Sequence, residues 1–71
     1  MGVYKVRFRG QSPRGRYITT QDLFNAKSES EARFKAESKL PEVKAMLEKR
    51  DGCEVHDLQC VAIEDKTNNR R

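Results

Sequence analysis

The sequence predicts an α+β fold: a three-stranded antiparallel sheet in the order 2-1-3, connected β-β-α-β, with one kinked or broken helix packed on one face. Three observations carry that expectation. Residues 3–9 alternate apolar and basic side chains with the period of a half-buried strand. Residues 12–15 carry a turn signature that separates this run from a second β-prone run. An apolar stripe with helical spacing then crosses residues 32–47.

The first strand directs Tyr4, Val6 and Phe8 to one side and Lys5, Arg7 and Arg9 to the other, the cations spread along about 14 Å of strand. Ser12, Pro13 and Gly15 occupy the first, second and fourth places of a type I turn, where each residue type is favoured. Residues 16–24 resume β-prone chemistry, which makes a hairpin. Ile18 and Phe24 share one parity in this strand while Tyr17 and Leu23 share the other, and a bulge near Gln21 and Asp22 would reconcile them.

Ser28 and Glu31 form a capping-box pattern at the start of a helix. Ala32, Ala36, Leu40, Val43 and Leu47 then step by three or four residues, the spacing of one buried stripe. Pro41 either kinks this helix or begins a second one, and Gly52 is a left-handed stop. Residues 54–64 supply the third strand. His56, Leu58, Cys60 and Ala62 lie on one parity, and Val55, Val61 and Ile63 on the other.

A chain of 71 residues holds one domain, read as residues 1–65 followed by a flexible basic tail at 66–71. Its core is near the smallest that folds alone, so a homodimer or a docked partner would supplement it. The formal charge of +4 is unevenly placed. Residues 1–19 carry five bases and no acid, residues 20–65 carry seven bases and all eleven acids, and residues 66–71 add three bases. That polarity favours an anionic partner at one end of the molecule. Two cysteines are too few for a disulfide scaffold, no apolar run approaches the ~20 residues of a membrane span, and no secretory leader is recognisable. A cytoplasmic protein without membrane partners is the expectation.

Four constellations bear on function. The first is basic: Lys5, Arg7 and Arg9 on the outward face of the hairpin, with Arg14 and Arg16 from the turn and Tyr17 available for stacking, a pattern suited to a phosphate backbone. Outward cations also discourage edge pairing between sheets, so a merely solvated face carries the same residues. The second is Cys53, His56 and Cys60, which invite a zinc reading. In a continuous strand the two cysteines lie on opposite faces about 23 Å apart, and no other Cys or His completes a set, so neither metal nor cofactor is expected. The third is catalytic. His56 is the lone histidine, Asp57 beside it points to the opposite face, and no nucleophile elbow, phosphate loop or paired carboxylates are recognisable. The chain reads as non-enzymatic. The fourth is apolar: Phe34 falls away from the helical stripe, and Val61 and Ile63 oppose Leu58 and Cys60. Either rotation at Pro41 buries Phe34, or these three residues form a docking patch or dimer seam.

Tyr4-x-Val6-x-Phe8, Arg16-Tyr17-Ile18 and Phe24-x-Ala26-x-Ser28-x-x-Glu31-Ala32 together resemble the hairpin-plus-helix modules of integrase arm-binding domains. That resemblance spans residues 4–39 and implies a basic sheet that enters a DNA groove. The third strand here follows the helix instead of preceding it, which departs from the pattern. In size and charge the chain also resembles compact bacteriophage-encoded inhibitors of host defence, which implies a host protein as partner, with no motif behind the likeness.

Two functions stay open from sequence. One is a basic binding module that contacts nucleic acid, or a nucleic-acid-handling complex, through the outward face of the hairpin. The other is a phage- or mobile-element-type inhibitor or adaptor that binds a host protein, with Phe34, or Val61 and Ile63, as apolar anchors.

Overall fold

A computed structural model describes residues 2–66. Strands β1 (Gly2–Gln11) and β2 (Tyr17–Ala26), helices α1 (Glu29–Ser38) and α2 (Leu40–Asp51), and strand β3 (His56–Asp65) follow in that order. The sheet is antiparallel, in the order β2-β1-β3, and both helices pack on one of its faces.

The hairpin closes as its residues dictate. Gly15 donates its N–H to the Ser12 carbonyl at 2.9 Å and takes φ +86, a conformation glycine adopts without steric cost. Ser12 donates back to the Arg16 carbonyl at 2.8 Å, and its hydroxyl accepts from Arg16 N–H at 3.1 Å. Beyond the turn, β1 and β2 pair without interruption from Gln11 opposite Tyr17 to Gly2 opposite Ala26. The bulge expected near Gln21 and Asp22 is therefore absent. The parity conflict resolves differently: Ile18, Phe24 and Ala26 are buried under the helices, while Tyr17 and Leu23 remain on the open face, about 60 % exposed.

Helix α1 starts on the predicted cap. The Ser28 hydroxyl accepts from Glu31 N–H at 3.2 Å, and the Glu31 carboxylate reaches back to Lys27 N–H at 2.5 Å. Lys39, at φ −93 and ψ −2, separates the two helices, and Pro41 sits in the first turn of α2, where its missing N–H costs nothing. Gly52 ends α2 at φ +72. The helix is thus broken, with Ala32, Ala36, Val43 and Leu47 all buried along the predicted stripe. Phe34 is excluded from it and stands 70 % exposed.

β3 pairs with β1 through two irregularities. Arg7 lies opposite Ala62 and Phe8 opposite Cys60, so Val61 is an extra residue between them. This insertion exchanges the parity of the strand. Leu58, Cys60 and Ile63 turn towards the core, while Val61 and Ala62 are exposed. The second irregularity, between Arg9 and Gln11, coincides with Asp57 at φ +57. A left-handed turn there lets the chain enter the sheet from residues 53–55.

The core centres on Phe8, Leu47, Val6 and Val55, each essentially inaccessible to solvent. Phe8 meets Phe24 edge-on, with ring centroids 6.4 Å apart. Where β3 begins, Gly10 lets the strands approach closely: a Cβ at this position would stand 2.6 Å from Val55 Cγ1 and 3.1 Å from the His56 carbonyl oxygen. Replacing Gly10 with Ala should therefore cost about 1–3 kcal/mol through forced displacement of β3, read as a lower urea midpoint at unchanged slope. A midpoint equal to the parent's would mean that this contact is not tight. Of the basic tail expected at residues 66–71, Lys66 donates its N–H to the Val3 carbonyl at 2.8 Å, and residues 67–71 lie outside the described part. No helix among the described residues is long and apolar enough to cross a membrane.

Candidate functional site

Burial of Tyr4, Val6 and Phe8 under the helices forces Lys5, Arg7 and Arg9 onto the opposite, uncovered face of the sheet. β1 is the central strand, so these cations run down the middle of that face. Leu23, Gln21 and Thr19 lie opposite them on β2, and Glu64, Ala62 and Gln59 on β3.

The three cations differ in how far they are neutralised. Lys5 Nζ is 3.6 Å from Glu64 Oε1, and Lys66 Nζ approaches the other oxygen of the same carboxylate at 3.4 Å. The two ammonium groups hold the Glu64 carboxyl below its ordinary range, Lys66 having the larger effect. Among the described residues neither Arg7 nor Arg9 has an ion-pair partner, and both are exposed. The Arg9 guanidinium lies over the Tyr17 ring, 4.8 Å from its centroid, as a diagonal cross-strand neighbour can. Gln11, Asp57 and Gln59 complete a shallow depression beside this pair.

Arg14 and Arg16, grouped with this face from sequence, lie elsewhere. They line a groove between the hairpin tip and the end of α2, together with Ile18, Arg50, Asp51 and Cys53. Arg16 shares the parity of Ile18, which points towards the helices, whereas Tyr17 does not. Arg50 in that groove is committed to Asp51, at 3.0 Å from Nε to Oδ1. The basic cluster is therefore two separate sites.

The apolar candidates separate as well. Ile63 packs against both core clusters, because the Val61 insertion turns it inward, and so it is unavailable as an exposed anchor. Phe34 extends from the outer side of α1, whose inner side is fixed by buried Ala32 and Ala36, while Val61 is exposed on the sheet. The three do not form one patch. Leu23, whose parity in the sequence conflicts with that of Ile18 and Phe24, is exposed on the open face opposite Lys5. Correct parity along β2 was the signal that would have placed it there.

Cys53 and Cys60 are free thiols, both half-buried against the main core cluster, and burial pushes the Cys60 thiol up from its ordinary range. His56 Nε2 lies 3.1 Å from Glu54 Oε1, with both side chains exposed. Among the described residues no group of His, Cys, Asp and Glu is arranged to hold a metal ion.

The free edge of β2 bears on self-association. Ser12 N–H bonds Arg16 O, so even-numbered β2 residues turn their backbone groups to β1 and odd-numbered ones turn theirs outward. Two of these outward groups are already capped. Asp22 Oδ1 accepts from Leu23 N–H at 2.8 Å, and Lys35 Nζ donates to the Asn25 carbonyl at 2.6 Å. Such capping blunts strand-to-strand pairing with a second copy. No protein family, curated protein or solved structure matches the chain.

Proposed function

We propose that the protein is a nucleic-acid-binding module whose contact surface is the open face of the sheet. The observation that carries this reading is the pair of exposed guanidinium groups, Arg7 and Arg9, unpaired to any described carboxylate on a face whose one paired acid is Glu64. The helical side differs: residues 29–51 contain six acids and six bases, which leaves no net charge there. A polyanion is drawn to the first surface and not to the second.

The competing reading, a protein-directed inhibitor, needs convergent apolar anchors. Ile63 is packed inward and Phe34 stands on the helical side, so Val61 is left without either partner. Charge supports the nucleic-acid reading more strongly.

Two phosphate contacts predict weak, salt-sensitive binding, with a slope of log K against log salt of about −1.4 on a single strand. Replacing Glu64 with Gln releases both Lys5 and Lys66 from the shared carboxylate. Affinity should rise and the slope should steepen to between about −2.1 and −2.8, as for three or four contacts. Titration of a labelled oligonucleotide over a range of salt concentrations measures both. Binding that ignores salt, or that is undetectable at low salt, overturns the reading.

A further inference from the structure

We infer that this face accepts single-stranded rather than duplex nucleic acid, with Tyr17 as the platform for a stacked base; the inference rests on the nucleic-acid reading above. Its basis is where the charges sit. A duplex presents two phosphate tracks at the rims of a groove, so an element lying in the groove meets base edges at its centre and phosphates at its flanks. Here the arrangement is reversed. Arg7 and Arg9 lie on the middle strand, and the flanking strands present Tyr17, Leu23, Gln21, Ala62 and Gln59. One central row of cations fits one backbone.

The spacing agrees. Alternate residues on a strand are about 6.8 Å apart, a step that an extended single strand matches with successive phosphates. Bases leaving that track towards β2 meet Tyr17, a residue 61 % exposed although Arg9 lies over its ring. Arg9 thus holds the ring from one side and leaves its other surface to a base. The adjacent depression, with Gln11, Gln59 and Asp57, offers hydrogen-bonding groups for a base edge and an acid that disfavours a phosphate there.

The test uses one fluorescein-labelled mixed-sequence strand, alone and annealed to its complement, titrated with the protein at low salt. The single strand should bind roughly tenfold or more tightly than the duplex. Tyr17→Ala should weaken single-strand binding roughly fivefold or more, and Tyr17→Phe should preserve it, because stacking needs the ring and not the hydroxyl. With no Trp in the chain and Tyr4 buried, quenching of tyrosine emission on binding reports Tyr17 directly. Equal or tighter duplex binding overturns the single-strand inference while the nucleic-acid reading stands. Single-strand binding that is indifferent to Tyr17→Ala overturns the stacking role. No binding of either probe removes both this inference and the reading beneath it.

Discussion

Reversing Arg7 and Arg9 together to Glu should abolish single-strand binding and leave the fold intact. Each reversal turns an attraction into a repulsion of similar size. A unit charge at about 4 Å in water contributes about 1 kcal/mol, so each position loses about 2 kcal/mol and the pair about 4 kcal/mol. At about 1.4 kcal/mol per decade, that is close to a thousandfold, which puts a weak complex beyond detection. The fold should tolerate the change. Both side chains are exposed, neither has an ion pair to a described residue, and the Arg9 contact with Tyr17 is a surface interaction of about 0.5–1 kcal/mol. Fluorescence anisotropy measures the binding loss, and thermal unfolding by circular dichroism checks the fold. The same reversal at Arg14 and Arg16 should weaken binding far less, because those residues line the groove at the hairpin tip.

Phe8→Ala should unfold the protein at room temperature. Phe8 is fully buried at the junction of sheet and helices and meets Phe24 edge-on. Truncation of a buried Phe costs about 3–5 kcal/mol. A domain of this length rarely has more than about 3–5 kcal/mol to lose. Loss of the cooperative melting transition is the expected result. A cooperative transition that persists near the parent temperature would show that the core is larger, or more adaptable, than Phe8 implies. Phe34→Ala is the natural control. That side chain is 70 % exposed, and its removal should change stability by less than about 0.5 kcal/mol.

The contrast between Phe8 and Phe34 shows what was legible in the sequence. Strict alternation in β1 fixed which side chains lie inside, because the period of a strand leaves no choice once Tyr4, Val6 and Phe8 are buried. Cap, break and stop of the helices were equally local: Ser28 with Glu31, Pro41 and Gly52 act within one turn of their own positions. What failed to show was anything set by pairing between strands. A single extra residue at Val61 moved Ile63 from the expected surface to the core, and nothing in residues 54–64 announces it. The register of β2 is continuous where a bulge was expected, because Tyr17 and Leu23 are tolerated on the open face instead of being buried. Arg16 was misplaced for a related reason. It adjoins Tyr17 in sequence, yet one step along a strand changes the face.

The pairing of Glu64 with Lys5 and Lys66 also lay beyond sequence, since it depends on β3 lying beside β1. It gives a pH dependence of known sign. A carboxyl held below its ordinary range stabilises the fold above that range, and the contribution is lost as pH falls through its lowered value. Protonation at that point also frees Lys5, so acid should slightly strengthen oligonucleotide binding while it weakens the fold.

The place where a nucleic acid touches the protein is the most direct point of test. Backbone amide shifts in a two-dimensional nitrogen–proton spectrum, recorded as an unlabelled single strand is added at low salt, locate that contact residue by residue. The predicted result is movement along the centre of β1 around Arg7 and Arg9, extending to Tyr17 on β2, with α1 and α2 unmoved. Shifts confined to Arg14, Arg16 and Arg50, or spread over the helical face, would contradict it.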